Sequence, residues 1–159
     1  MRNQLDSEAA LETLSFFRII FKSANRHFHE VEKKAGMGGA SLWALAEIAE
    51  SNNLTLSGLA KAMAVHQSTA SNQMDKLETN GYVIKTRSTE DRRVVYFEIT
   101  SKGQAVLNKA PPPYRGILPT ALMKLDPTLL QQLNQNLKKL ISSLEHTQHS
   151  AGYEPLGGE

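Results

Sequence analysis

Apolar residues recur at spacings of four and three along the first stretch of the chain, at Ala10, Leu14, Phe17, Phe21, Ala24, Phe28 and Val31. That period belongs to a helix with a continuous apolar seam, expected from about Ser7 to Lys34. Leu11, Phe16, Ile19 and Ile20 widen the apolar arc beyond a single seam. An arc of that width needs two surfaces to pack on, a core on one side and a partner on the other. The GMGG run at 36–39 breaks the pattern. A second helix follows from Ser41 to about Glu50, carrying Leu42, Leu45, Ala46 and Ala49, and Ser51-Asn52-Asn53 is a turn.

Thr55 reads as an N-cap for a short helix with Leu56, Leu59, Ala60 and Met63 inward. After a turn at 64–67, the next helix spans about Ser68 to Thr79. Ala70, Met74 and Leu77 share one face of it; Ser68, Asn72, Asp75 and Thr79 lie opposite, with Ser71 and Lys76 at the flanks. Asn80-Gly81 ends the helix, glycine being suited to a left-handed cap. Tyr82-Val83-Ile84 and Val94-Val95-Tyr96-Phe97 are β-rich runs around a polar loop, Thr86 to Arg93, and so form a hairpin.

Ser101 is expected to cap a helix over Lys102 to Ala110, which three successive prolines at 111–113 interrupt. The helix is expected to resume near Tyr114 and run to Leu125. Asp126-Pro127 starts another, an N-cap followed by proline at the first helical position. Leu130, Leu133, Leu137, Leu140 and Leu144 then repeat the apolar seam, and the Gly-rich tail from His146 is expected to be flexible.

Helix, turn, helix, strand, basic loop, strand is the order of a winged helix-turn-helix, here over 55–103. The expected fold is mainly α with a small β-hairpin wing. Residues 1–34 and 101–146 form a helical dimerisation arm, 38–100 the winged domain and 147–159 a flexible tail. Two long seams ask for a second copy of the chain, although the same seams pairing within one chain is the alternative reading.

Composition narrows the class. The chain has 159 residues, 40% of them hydrophobic, and no cysteine, which excludes disulfides and thiolate metal sites. No apolar run approaches the ~20 residues of a membrane span, and the start lacks a signal-peptide core, so a cytoplasmic location is expected. Net charge is only +2, yet 55–103 holds seven Lys or Arg against five Asp or Glu. No phosphate-cradling glycine loop, nucleophile motif or carboxylate pair appears, so an enzyme is not expected, nor a resident cofactor.

The outer face of the 68–79 helix carries amides and hydroxyls that bond base edges and phosphates. Gln67, Ser68, Thr69, Ser71, Asn72 and Gln73 are the candidate groove contacts, with Lys76 on phosphate. Asp75 is repelled by phosphate and is expected to pair with Lys76 or a wing arginine. Arg87, Arg92 and Arg93 are the candidate wing contacts, one of them entering the minor groove and another pairing with Asp91 to stiffen the loop. A solvated polar face and a charged turn are the bland alternatives for the same residues.

The pieces LTLSGLAKAM, VHQSTASNQMDKLETNGYV and STEDRRVVYFEITSKG together resemble the MarR (multiple antibiotic resistance regulator) family of bacterial transcription factors. The last piece holds the family's Asp-x-Arg wing signature at Asp91 and Arg93, and Thr-x-x-Gly at Thr100 to Gly103. The flanking helices fit as well, so the resemblance covers nearly the whole chain. It implies a homodimer held by the first helix and the last two, reading a palindromic operator on double-stranded DNA. His66 and Asn72 stand where aspartate and arginine are common in the family, and the triple proline is a further departure.

The resemblance also implies a repressor released by a small aromatic or phenolic effector, held between arm and winged domain. Phe17, Trp43, Tyr114 and Arg115 would supply aromatic walls and one cation. Two alternatives stand beside this reading. A zinc-responsive regulator would draw on His27, His29, Glu30, His146 and His149, but 27 and 29 point to different helix faces and no cysteine assists. A winged domain acting only as a protein-interaction module is the other.

Overall fold

The computed structural model describes residues 2–51 and 53–156. Among the described residues, seven α-helices and one hairpin follow each other as α1 (Arg2–Ala35), α2 (Gly39–Glu50), α3 (Leu56–Met63), α4 (Gln67–Thr79), β1 (Val83–Arg87), β2 (Val95–Ile99), α5 (Ser101–Lys109), α6 (Ile117–Met123) and α7 (Pro127–Ser142). A 3-10 turn over His149–Tyr153 follows. The strands pair antiparallel, from Val83 opposite Ile99 to Arg87 opposite Val95. Among the described residues no helix is long and apolar enough to cross a membrane.

The core is built around α2, where Leu42, Ala44, Leu45, Ala46 and Ile48 are all buried. Packed on it are Leu59 and Met63 of α3, Ala70, Met74 and Leu77 of α4, Val83 and Phe97 of the hairpin, and Leu107 of α5. The α3–α4 turn passes through Ala64, whose φ of 53° is left-handed, and its N–H closes on the carbonyls of Ala60 and Lys61. Thr55 caps α3 by accepting from the Gly58 amide at 3.1 Å. The cap of α5 is Thr100, not Ser101: its hydroxyl accepts from the Gly103 amide at 3.1 Å and donates to the Gly81 carbonyl at 2.8 Å. Gly103 is required there, because a Cβ would sit 2.3 Å from the Tyr82 carbonyl oxygen.

The seam of α1 divides in two. Ala24, His27 and Val31 are buried, Val31 within the main core and His27 at the Pro113 carbonyl, whereas Leu11, Leu14, Phe16, Ile19, Ile20 and Phe21 are exposed. On α7 and just beyond it Leu129, Leu140, Ile141 and Leu144 are exposed too.

The triple proline is an anchored elbow. His27 Nε2 lies 3.1 Å from the Pro113 carbonyl oxygen, and Arg115 is held by two carboxylates of α2. The helix expected from Tyr114 to Leu125 is shorter, Ile117–Met123, because Tyr114 and Arg115 form a turn and Gly116 has φ 89°. Asp126 caps α7 as expected, accepting from the amides of Thr128 and Leu129. That helix ends at Ser142, so Leu144 lies past it. The tail expected to be flexible carries the 3-10 turn in its described part; 157–159 lie outside the described residues.

Candidate nucleic-acid interface

Burial of Ala70, Met74 and Leu77 fixes the rotation of α4 and leaves Gln67, Ser68, Asn72, Asp75, Lys76 and Thr79 exposed. Thr69, Ser71 and Gln73 are only partly exposed. Gln73 turns toward α2, where its side-chain oxygen accepts from the Ser41 hydroxyl at 2.8 Å. The surface a groove would meet is therefore narrower than the sequence suggests: Gln67, Ser68 and Asn72, with Lys76 beside them. His66 is the N-cap of α4 but makes no side-chain cap bond, so the first amides of the helix lack a capping side chain.

Asp75 is neutralised by neither Lys76 nor a wing arginine. Its partner is Lys85 of β1 at 3.7 Å, and the same ammonium lies 2.5 Å from Glu78. The hydrogen bond to Glu78 raises the Lys85 pKa above its ordinary 10.5; partial burial opposes this, and the charges of Glu78 and Asp75 add to the rise. The one ammonium offsets half of the negative charge that Asp75 and Glu78 bring to α4 beside Lys76.

The wing is a hydrogen-bonded turn. Ser88 donates its N–H to the Val94 carbonyl at 2.9 Å, and its hydroxyl accepts from the amides of Glu90 and Asp91. Asp91 accepts from the Arg93 amide at 3.0 Å and lies 3.5 Å from the Arg93 guanidinium. Asp91 is thus the residue that shapes the tip, and Arg93 is its partner although its side chain is 94% exposed. Arg87 ends β1 opposite Val95, where the loop begins, and Arg92 lies in the tip. Among the described residues neither has a carboxylate within ion-pair distance.

The four residues suggested for an effector are not all together. Trp43 and Arg115 meet at Glu47, which is only 7% exposed. Trp43 Nε1 donates to Glu47 Oε1 at 2.7 Å and Arg115 Nε donates to the same oxygen at 2.6 Å. Arg115 Nη2 donates to Glu50 at 3.1 Å, so its charge is already matched rather than waiting for a ligand. Tyr114 packs beside it on the core. Phe17 stacks on Phe21 instead, about 15 Å along α1 from the His27 contact to the elbow. Nothing in the sequence pairs Glu47 with Arg115, because the contact crosses between α2 and a turn far along the chain.

The histidines have other partners. His27 bonds the elbow, and His29 Nδ1 lies 2.8 Å from the Asn25 carbonyl of its own helix. Among the described residues no group of three or more His, Cys, Asp or Glu could hold a metal ion.

Comparison with known proteins agrees with this geometry. The family model of the MarR family matches residues 40–95. The uncharacterized HTH-type transcriptional regulator YkoM of Bacillus subtilis (strain 168) is 26% identical over 147 residues, 92% of this chain and 94% of that protein. The transcriptional repressor MprA of Escherichia coli (strain K12) is 30% identical over 99 residues, 62% of this chain but 56% of that protein. A MarR family transcriptional regulator from Streptomyces coelicolor, solved in complex with DNA, superposes with a TM-score of 0.60 at 22% identity over 89% of this chain and 90% of that one, a likeness of fold.

Proposed function

This chain is a MarR-family protein, and we propose that it is a sequence-specific DNA-binding repressor, acting in the cytoplasm as a homodimer on a palindromic operator and released by a small aromatic or phenolic effector. It is a regulator and not an enzyme. The observation that carries this reading is the pairing of an exposed amide and hydroxyl face on α4 with two wing arginines, Arg87 and Arg92, that have no carboxylate at ion-pair distance among the described residues. The first reads base edges in the major groove, and the second meets the backbone or the minor groove. MprA is a repressor by name and the Streptomyces neighbour was solved on DNA, which supports the same role here.

The exposed seams supply the dimer. A lone α1 with Leu11, Ile19 and Phe21 in water, and α7 with Leu129 and Ile141 likewise, leaves an apolar surface that a second copy would cover. In this reading 1–34 and 101–146 form the arm and 38–100 the reading head. The effector rests on Trp43 and Tyr114, and an acidic group on it would displace the exposed Glu50 from Arg115 rather than the buried Glu47.

Titration of a labelled mixed-sequence duplex across a salt series tests the core of this. Binding that weakens linearly in log–log form, with two chains per duplex by sedimentation, is expected. A folded dimer that ignores duplex DNA at low salt points to a protein-interaction module instead.

A further inference from the structure

Beyond α7 the chain turns back on itself. His146 adopts a left-handed φ of 61°, and the 3-10 turn follows, closed by Ala151 N–H on the Gln148 carbonyl at 3.1 Å. The turn ends on α4: the Tyr153 ring lies 4.5 Å from the His66 imidazole, centroid to centroid, at 38°. The His66 N–H donates to the Tyr153 carbonyl at 3.4 Å. His66 is the N-cap of α4, immediately before Gln67 and Ser68.

We propose that the C-terminal segment around Tyr153 is a built-in competitor of DNA for the N-terminus of the recognition helix. This rests on the DNA-reading function proposed above. An amide at a helix N-terminus is a natural donor to a backbone phosphate. Here a carbonyl of the same chain takes it. Charge agrees with the substitution: beyond Lys139 the chain has Glu145, Glu154 and Glu159 and no Lys or Arg. Of these, Glu154 directly follows Tyr153, whose carbonyl takes the amide at the positive end of the helix dipole, where a phosphate is also favoured. Duplex and tail cannot occupy the same amide and imidazole, so DNA binds only the fraction of molecules whose tail is lifted. The apparent affinity falls by that fraction.

The test is affinity for one duplex, measured for the full chain, for Tyr153→Ala, for Tyr153→Phe and for a chain ending at Gln148, each checked for helicity and dimer mass. Tyr153→Ala and the shortened chain are expected to bind roughly three- to tenfold tighter, the scale of one lost aromatic stack. Tyr153→Phe keeps the ring and is expected to match the full chain. Equal or weaker binding by both Tyr153→Ala and the shortened chain overturns the competitor while leaving DNA reading intact. No binding by any of the four overturns both readings at once.

Discussion

Arg115 and Glu47 meet at 2.6 Å, joining the turn after the triple proline to the most buried helix of the winged domain. Trp43 shares the same carboxylate oxygen, and Glu50 takes the other end of the guanidinium. With His27 holding the Pro113 carbonyl, the elbow is fixed to α1 and α2 together. In the proposed dimer, this clamp would hold arm and reading head in one orientation, which is what two heads need to meet half-sites at a set spacing.

Arg115→Ala should be costly because it strands a buried carboxylate on Trp43 alone. A loss of about 2 kcal/mol is expected, read as a lower urea midpoint at unchanged slope. Arg115→Lys should recover little of it, since one ammonium cannot fork between Glu47 and Glu50. A midpoint unmoved in the alanine variant would mean the clamp contributes nothing.

Asn72 and Lys76 are expected to fail differently. Asn72→Ala should lower affinity by about 1–3 kcal/mol for the preferred sequence and relax the preference at one base pair. Lys76→Ala should weaken all sequences alike and reduce the salt slope by about one. Competition titrations with single-base operator variants separate the two patterns.

Phe21 is 58% exposed on α1 within a run of exposed apolar residues. Phe21→Glu is expected to split the proposed dimer while leaving helicity intact, because the winged core does not use that side chain. Sedimentation velocity at micromolar concentration decides it; an unchanged dimer mass would place the interface elsewhere.

Lys85 gives a pH signature. Its folded pKa lies above the ordinary 10.5, chiefly through the hydrogen bond from its ammonium to Glu78. A raised value stabilises the fold fully below the unfolded pKa, and that contribution fades as pH climbs through the folded one. The stability gap between wild type and Glu78→Gln should hold steady from neutral pH to about 10 and shrink above it. The pair is surface-exposed, so the gap itself should not exceed about 0.5 kcal/mol. A gap that widens in alkali would contradict the assignment.

Local chemistry was legible in the sequence wherever one residue acts on its near neighbours. Thr55 and Asp126 cap the helices they were expected to cap, and the buried face of α4 follows its period. The cap of α5 was displaced by one because Thr100 and Ser101 are both capping residues; the Gly103 amide selects Thr100. What could not be read are contacts between distant elements. Asp75 finds Lys85 across the turn into β1, and Gln73 is claimed by Ser41. Arg115 is matched by two glutamates, and Tyr153 returns to His66. Each depends on how elements pack, and residue spacing along one helix carries no record of that.

Selection of bound sequences from a random duplex pool, run with the wild type and with Arg87 and Arg92 both changed to alanine, tests the central claim most directly. The expected result is a palindrome enriched by the wild type and lost or much weakened in the double variant. Enrichment of no sequence by a folded wild-type dimer, or an equally strong palindrome without the two arginines, would contradict the reading of α4 and the wing as one DNA-recognition surface.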